Sequence, residues 1–336
     1  MIRPGKLYNI TMKIRVISDI HRSINSSFPL SLEDNCDYTL IAGDLGPEHR
    51  KNAKWLSENV RRGAFISGNH DAYNRDVTID QVKSYYHRKF PVDSDVTYFD
   101  SSVGVVSKEI SPGIILVADV MYTDYALPIC NADEGLPEDI VVKRNIRRAE
   151  PKFHGMYMND FNYFTKSSKY ATEWEMSQFE GKKRYHIRPQ HYMDHFKKAF
   201  EKIEKVVESN LDKEIILMTH HCLSPRCISE KFSKDELNAS YVSDREKWIA
   251  DHENIKLVVS GHVHHRADFH VGNALYVLNP LGYVPYGENM EGENGCAWTP
   301  NCFVDTDAWT LEREPWDDSP WRERQECFSK AMAAFL

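Results

Sequence analysis

The sequence predicts an α/β fold, and three observations carry that expectation. Apolar, strand-like runs alternate with helical patterns through the first third of the chain and return near residue 214. Between them, at about 121–212, lies a stretch richer in charge, Tyr and Phe with a weak strand signal, which reads as a helical insert. Five short polar clusters each follow an apolar run directly, and strand ends are where α/β folds collect their ligands.

The elements follow in order. Residues 13–18 read as a buried strand and 38–42 as a second. Ala53, Leu56 and Val60 keep helical spacing behind Pro47, a residue suited to a helix's first turn. Ala64-Phe65-Ile66 is a third strand. Thr78 and Gln81 form a capping box ahead of a helical face of Ile79, Val82, Tyr86 and Phe90. Residues 96–120 hold further strands. In the insert, Met193, Phe196, Phe200, Ile203 and Val207 mark a helix near 190–208. A strand at 214–218 follows, then a helix expected to start at a capping box of Ser243 and Glu246. Strands at 257–259 and 275–278 close the set.

The chain is 336 residues long, enough for one large domain or two. Residues 1–11 are expected to be a loose extension, with Met12 an alternative natural start. Residues 12–285 form the expected domain, and 286–336 an extension packed on it, with Trp298, Trp309, Trp316 and Trp321 and little periodicity. Lys and Arg total 42 against 50 Asp and Glu, so the formal charge is 42 − 50 = −8. That disfavours an electrostatic grip on nucleic acid or anionic membrane. The apolar runs are too short to cross a bilayer, and no apolar core backs the basic N-terminus as a signal peptide requires. Seven Cys without framework spacing then suggest reduced thiols in a cytoplasm.

The polar clusters are Asp19-Ile20-His21, Gly43-Asp44, Gly68-Asn69-His70-Asp71, His220-His221 and Gly261-His262-Val263-His264. Each alone is ordinary: an Asp-x-His is usually a surface loop and a Gly-Asp pair a turn. Together they offer carboxylate, imidazole and amide donors and no thiolate, a set suited to Mn, Fe, Zn, Co or Ni. Seven such groups exceed the needs of one ion and suit two ions sharing a carboxylate, as in metal-assisted phosphoryl transfer.

In this order the clusters resemble the calcineurin-like metallophosphoesterase superfamily over about residues 12–285, the insert only loosely. Asn279-Pro280-Leu281-Gly282-Tyr283 and Thr219-His220-His221 resemble segments of its bacterial and phage members, as do Tyr122-Thr123-Asp124-Tyr125 and Met158-Asn159-Asp160. The resemblance implies two mixed β-sheets packed as a sandwich and flanked by helices. It implies that Asp19, His21 and His264 hold a first divalent ion, that Asn69, His220 and His262 hold a second, and that Asp44 bridges them. The ions would be Mn²⁺, Fe or Zn²⁺. His70 is the implied acid for the leaving oxygen, and Asn69 could also touch the phosphate. His221 is a candidate substrate contact or a structural residue, and the acidic balance and large insert favour a small phosphodiester or nucleotide as substrate.

The departures narrow this. The Gly-Asp-x-x-Asp-Arg-Gly and Gly-Asn-His-Glu patterns of protein phosphatases are absent, which disfavours a protein substrate. Glu48 is a weak substitute partner for His70, and Leu281 stands where some members carry Arg. Tyr122, Asp124, Asn159 and Asp160 are candidate pocket walls, and His265 and Arg266 candidate phosphate contacts or a solvated turn. Cys222 with Cys227, and Cys296 with Cys302, read as ordinary thiols. Two alternatives stand beside the hydrolase: a DNA-processing nuclease sharing the Gly-Asn-His-Asp pattern, and a metal-bound scaffold without activity.

Overall fold

The computed structural model describes residues 11–314, apart from 27, 29, 75, 151–157, 164, 168–183, 287 and 289–297. Most of the expected N-terminal extension, Cys296, Trp316 and Trp321 lie outside the described residues. The chain begins with β1 (Lys13–Ile17), β2 (Tyr38–Ile41), α1 (His49–Asn59), β3 (Gly63–Phe65), α2 (Ile79–Lys89), β4 (Val96–Tyr98), β5 (Ser107–Ser111) and β6 (Ile114–Asp119). The middle holds α3 (Glu138–Ala149), α4 (Asp160–Tyr163), β7 (Thr165–Ser167), β8 (Arg184–His186) and α5 (Pro189–Glu208). Then come β9 (Glu214–Thr219), α6 (Glu246–Asp251), β10 (Ile255–Ser260), β11 (Ala267–Val271), β12 (Ala274–Leu278), β13 (Cys302–Asp305) and β14 (Thr310–Arg313).

Two six-stranded mixed sheets result, ordered β14-β13-β1-β2-β3-β4 and β11-β12-β10-β9-β6-β5. In the first, β1 to β4 are parallel and β13 is antiparallel to β1. In the second, β12, β10, β9 and β6 are parallel, with antiparallel edges at β11 and β5. Alternation along the strands builds the layers. In β6, Leu116 and Ala118 enter the core between the sheets, where they join Ile14, Val16, Leu40, Ile216 and Val259. Their neighbours Ile115 and Val117 face outward under Tyr192, Phe196, Ala199 and Ile203 of α5. On the other outer face, Ile17, Ile41 and Phe65 pack against Ala53, Leu56, Val82 and Tyr86 of α1 and α2. Both faces of the parallel strands are thus covered, which is why they read as unbroken apolar runs.

The capping box at α2 forms, with the Thr78 N–H donating to Gln81 Oε1 at 2.8 Å. The expected one at Ser243 does not. Ser243 Oγ instead donates to Asp124 Oδ1 at 2.9 Å, and α6 starts three residues later. Asp244 Oδ1 takes the Glu246 N–H at 3.1 Å in its place. Helix α1 begins beyond Pro47, with Glu48 as its N-cap. Three further features depart from the periodicity. The insert contains an antiparallel β7–β8 pair. Edge strand β11 carries Asp268 and His270 on its exposed side. The tail adds β13 and β14, four residues each; β13 becomes a strand by pairing with β1 nearly 300 residues away, and β14 pairs on β13.

A buried ion pair ties α2 to the loop after β4. Lys83 Nζ lies 2.7 Å from Asp100 Oδ2, with side chains 8% and 1% exposed. Burial works against the Asp100 charge, but Lys83 and His195 more than offset it and bring the carboxyl down to about 2. A depressed carboxyl stabilises the fold above its unfolded pKa near 4, and that contribution disappears as pH falls through about 2. Asp100→Asn leaves Lys83 buried without its ion-pair partner, so urea unfolding at pH 7 is expected to show a loss of about 3–5 kcal/mol. The variant's stability should also fall less steeply than the parent's between pH 4 and pH 2.

Candidate metal centre

The five polar clusters converge at one end of the sandwich, beyond the C-terminal ends of β1, β2, β3, β9 and β10. Of eight non-glycine residues with positive φ among the described residues, five are expected ligands: Asp19, His21, Asp44, His262 and His264. Such backbone costs on the order of 1–3 kcal/mol per residue and persists only where the surroundings impose it; Asp and His tolerate it better than most. The motif glycines show how close the packing is. A Cβ on Gly68 would lie 2.0 Å from Asp44 Oδ1, and one on Gly261 2.5 Å from Asp19 Oδ2. Carboxylates rest directly on backbone at both places, so a hydrogen is the largest side chain that fits.

The donors form two sets that share Asp44. One donor atom each from Asp19, His21, Asp44 and His264 lies within 4.8 Å of the others, and the same holds for Asp44, His220 and His262. Asp44 Oδ2 is 3.6 Å from His21 Nε2 and 3.5 Å from His220 Nε2. His264 Nε2 is 2.9 Å from His21 Nε2 and 3.6 Å from Asp19 Oδ1. Asn69 Oδ1 completes the second set, 3.0 Å from His220 Nε2 and 3.1 Å from His262 Nδ1.

Hydrogen bonds behind the donors fix which atoms face inward. His220 Nδ1–H donates to the Ala42 carbonyl at 2.8 Å, which leaves the Nε2 lone pair toward Asp44 and Asn69. His264 Nδ1–H donates to Glu288 Oε2 at 2.7 Å, which leaves Nε2 toward Asp19 and His21. Asn69 Nδ2 donates to Asp160 Oδ1 at 2.8 Å, so its oxygen faces the imidazoles. Tyr73 and Tyr192 donate their hydroxyls to the same Asp160 carboxylate. The Asp19 carboxylate accepts the His262 N–H at 2.9 and 3.1 Å. Asp71 straps two motif loops together by accepting the Gly68 N–H at 2.7 Å and the Gly46 N–H at 3.2 Å.

In this tautomer His220 Nε2, Asn69 Oδ1 and Asp44 Oδ2 are all acceptors with no donor among them. A cation satisfies that arrangement, and the residues present therefore fit a pair of divalent ions. Without ions a proton takes that part. Burial opposes charge on His220, but Asp44 and Asp19 outweigh it and raise its imidazole to about 9. Burial pushes His21 and His262 well below the ordinary imidazole range, so both are neutral and ready to ligate. Burial also opposes charge on Asp44, yet the surrounding His220, His70 and His21 hold its carboxyl well below the usual range.

A cavity of about 600 Å³ opens over the second set, lined by Asp44, Asn69, His70, His262 and His264 among others. His70 is anchored by its N–H to Asp44 Oδ1 at 2.9 Å and stacks on Tyr73. Its Nε2 lies 3.1 Å from the Tyr283 hydroxyl. Glu48 pairs instead with Lys51 at 2.6 Å on the surface. His221 is fully buried behind His262, ring centroids 4.1 Å apart, and lines no part of the cavity, so its expected substrate contact is not in reach. Asn159 and Asp160 do line the cavity. Tyr122 stacks on Tyr192 in the core and Asp124 pairs with Arg245, both away from it. His265 and Arg266 lie outside the lining, Leu281 is buried in the core, and Cys222, Cys227 and Cys302 are buried free thiols.

Sequence reasoning missed Glu288 and the strap made by Asp71. Glu288 lies in an irregular segment after Tyr283 and has no motif neighbour. It reaches the site because its Oε2 also accepts the Tyr283 N–H at 2.8 Å.

Comparison with known proteins agrees with this geometry. A family model described as calcineurin-like phosphoesterase matches residues 12–266. A phosphopantetheinyl hydrolase from Mycobacterium tuberculosis superposes with a TM-score of 0.56 at 14% identity, over 91% of this chain and 97% of its own. A putative 5'-nucleotidase from Staphylococcus aureus gives a TM-score of 0.41 at 8% identity, over 94% of this chain and 58% of its own, too distant to bear on the fold. No curated protein matches significantly.

Two outcomes follow from this geometry. A metal ion must displace the His220 proton, so affinity for the second ion is expected to rise up to about tenfold per pH unit, levelling near pH 9. Competition titration against a chromophoric chelator at pH 6.5, 7.5 and 8.5 measures this. By the same assay Glu288→Ala should weaken metal binding by about 10–100-fold, because His264 loses the acceptor that fixes its tautomer.

Proposed function

The chain belongs to the calcineurin-like phosphoesterase family, and from that premise we propose that it hydrolyses a small phosphate ester, a diester or a nucleotide, at a dinuclear centre. The coarser statement holds for the family: it is a metal-dependent phosphoric ester hydrolase. In our reading Asp19, His21 and His264 hold one ion and Asn69, His220 and His262 the other, with Asp44 between them. The observation that carries this is the position of Asp44 Oδ2, within 3.6 Å of an imidazole nitrogen from each set. Manganese, iron and zinc all accept these nitrogen and oxygen donors.

When bound, two such ions supply Lewis acidity toward the phosphoryl oxygens and lower the pKa of water to give a nucleophile near neutral pH. The protein's own part is positioning and proton transfer. The Ala42 carbonyl, Glu288 and Asp160 hold His220, His264 and Asn69 in their ligating orientations. Asn69 and His70 face the cavity, so the phosphoryl group meets both. His70 is placed to give a proton to the departing oxygen through Nε2, which the Tyr283 hydroxyl holds at 3.1 Å. Among the described residues no helix is long and apolar enough to cross a membrane. Five free cysteines there agree with a cytoplasmic setting.

The test compares the parent with Asp44→Asn on a chromogenic diester and a chromogenic monoester in Mn²⁺. Loss of the shared carboxylate should lower kcat/KM on the preferred ester on the order of 1,000-fold, about 4 kcal/mol of transition-state stabilisation. Circular dichroism should show the fold retained. A variant that keeps full turnover contradicts the reading.

A further inference from the structure

The charge and shape of the cavity bear on the substrate, and this inference rests on the hydrolase reading above. Past the ligands, its far wall is built by the loop between β9 and α6. Ile228, Phe232, Leu237 and Tyr241 line it from that loop, and Val263 from the last motif. Phe232 is 48% exposed on this wall and, with Ile228, Leu237 and Val263, gives it an apolar face. Internal hydrogen bonds hold the loop: Asn238 Nδ2 donates to the Phe232 carbonyl and the Leu237 N–H to Asp235 Oδ1, each at 2.8 Å.

The ionic groups of the wall have one sign. Asp235 and Glu288 line the cavity, and among the described residues no Lys or Arg does. Lys231 stands beside the rim, its Nζ 5.1 Å from the Phe232 ring, outside the lining. Burial opposes charge on Glu288, but His264, the Tyr283 N–H and Lys231 hold its carboxyl below the usual range. Among the described lining residues no Lys or Arg offsets these carboxylates, so inside the cavity the positive charge would come from the site's ions, where one phosphoryl group is taken up, with Lys231 at the rim. A second phosphate would face carboxylates in a half-enclosed space, where like charges repel more strongly than in water. Pockets that read polyanions place Arg or Lys along the chain of charges, and this one places an aromatic and aliphatic wall there.

We propose that the cavity selects phosphoesters whose remaining arm is apolar and free of further anionic groups, and rejects polyphosphates and nucleic acid strands. Phe232, Ile228 and Leu237 receive the arm, and Asp235 and Glu288 exclude a second anion.

The test uses two p-nitrophenyl phosphodiesters that differ only in the second arm, hexyl or 6-phosphonohexyl, on the Mn²⁺-loaded full chain. Calorimetry with hexylphosphonate and hexane-1,6-bisphosphonate reads binding without turnover. The hexyl ester should have the higher kcat/KM by at least about tenfold, and hexylphosphonate should bind more tightly. Phe232→Ala should reduce that preference through KM, and Asp235→Lys should reverse the order of the two esters. Equal or better turnover and binding of the doubly charged partners overturns the assignment while leaving the hydrolase reading standing. Turnover of neither ester, with hexylphosphonate still preferred, contradicts the hydrolase reading and supports the pocket assignment.

Discussion

One carboxylate oxygen organises this structure. Asp44 Oδ2 sits between His21 Nε2 and His220 Nε2, fully buried, with Asn69 Oδ1 nearby. So many acceptors in so little space are tolerable only with positive charge among them. A proton on His220 serves in the metal-free protein, and the donor set fits divalent ions in its place. Much of the surrounding architecture keeps these groups from relaxing apart.

The fold does so by bringing two sheets to one edge. The His21 N–H donates to the Asp44 carbonyl at 2.9 Å, and the Gly282 N–H donates to the Asp19 carbonyl at 3.0 Å. Asn279 Nδ2 donates across to the Val16 and Thr299 carbonyls, each at 2.9 Å, and so joins β1, the segment after β12 and the tail. This network imposes left-handed backbone on five of the expected ligands. Their strain is repaid by packing the apolar faces of β1, β2, β6, β9 and β10, whose core lies directly beneath. The lock also brings Tyr283 onto His21 and His264, with ring centroids 4.6 Å away in each case, and places its hydroxyl at His70.

The parallel strands and α1, α2 and α5 were legible in the sequence because burial on both faces or on one helical stripe writes a local pattern. The candidate ligands were legible because the cluster that holds each follows such a strand. What escaped depends on partners far along the chain. β13 is a strand because β1 offers its edge, and β11 carries polar residues on its open side. Glu288 acts through a carboxylate contact to His264 that no spacing announces. His221 read from the sequence as either a substrate contact or a structural residue, and the turn after β9 sends it behind His262 instead of into the cavity. Adjacency in sequence at a strand end does not decide which face a side chain takes.

The central claim is that Asp44 joins two metal ions. Crystals of the Mn²⁺-loaded protein, measured at the manganese absorption edge, test it most directly. The account predicts two anomalous peaks roughly 3.5–4 Å apart on either side of the Asp44 carboxylate, one beside His21 and His264 and the other beside Asn69, His220 and His262. A single peak, or two ions that do not share Asp44, would contradict it.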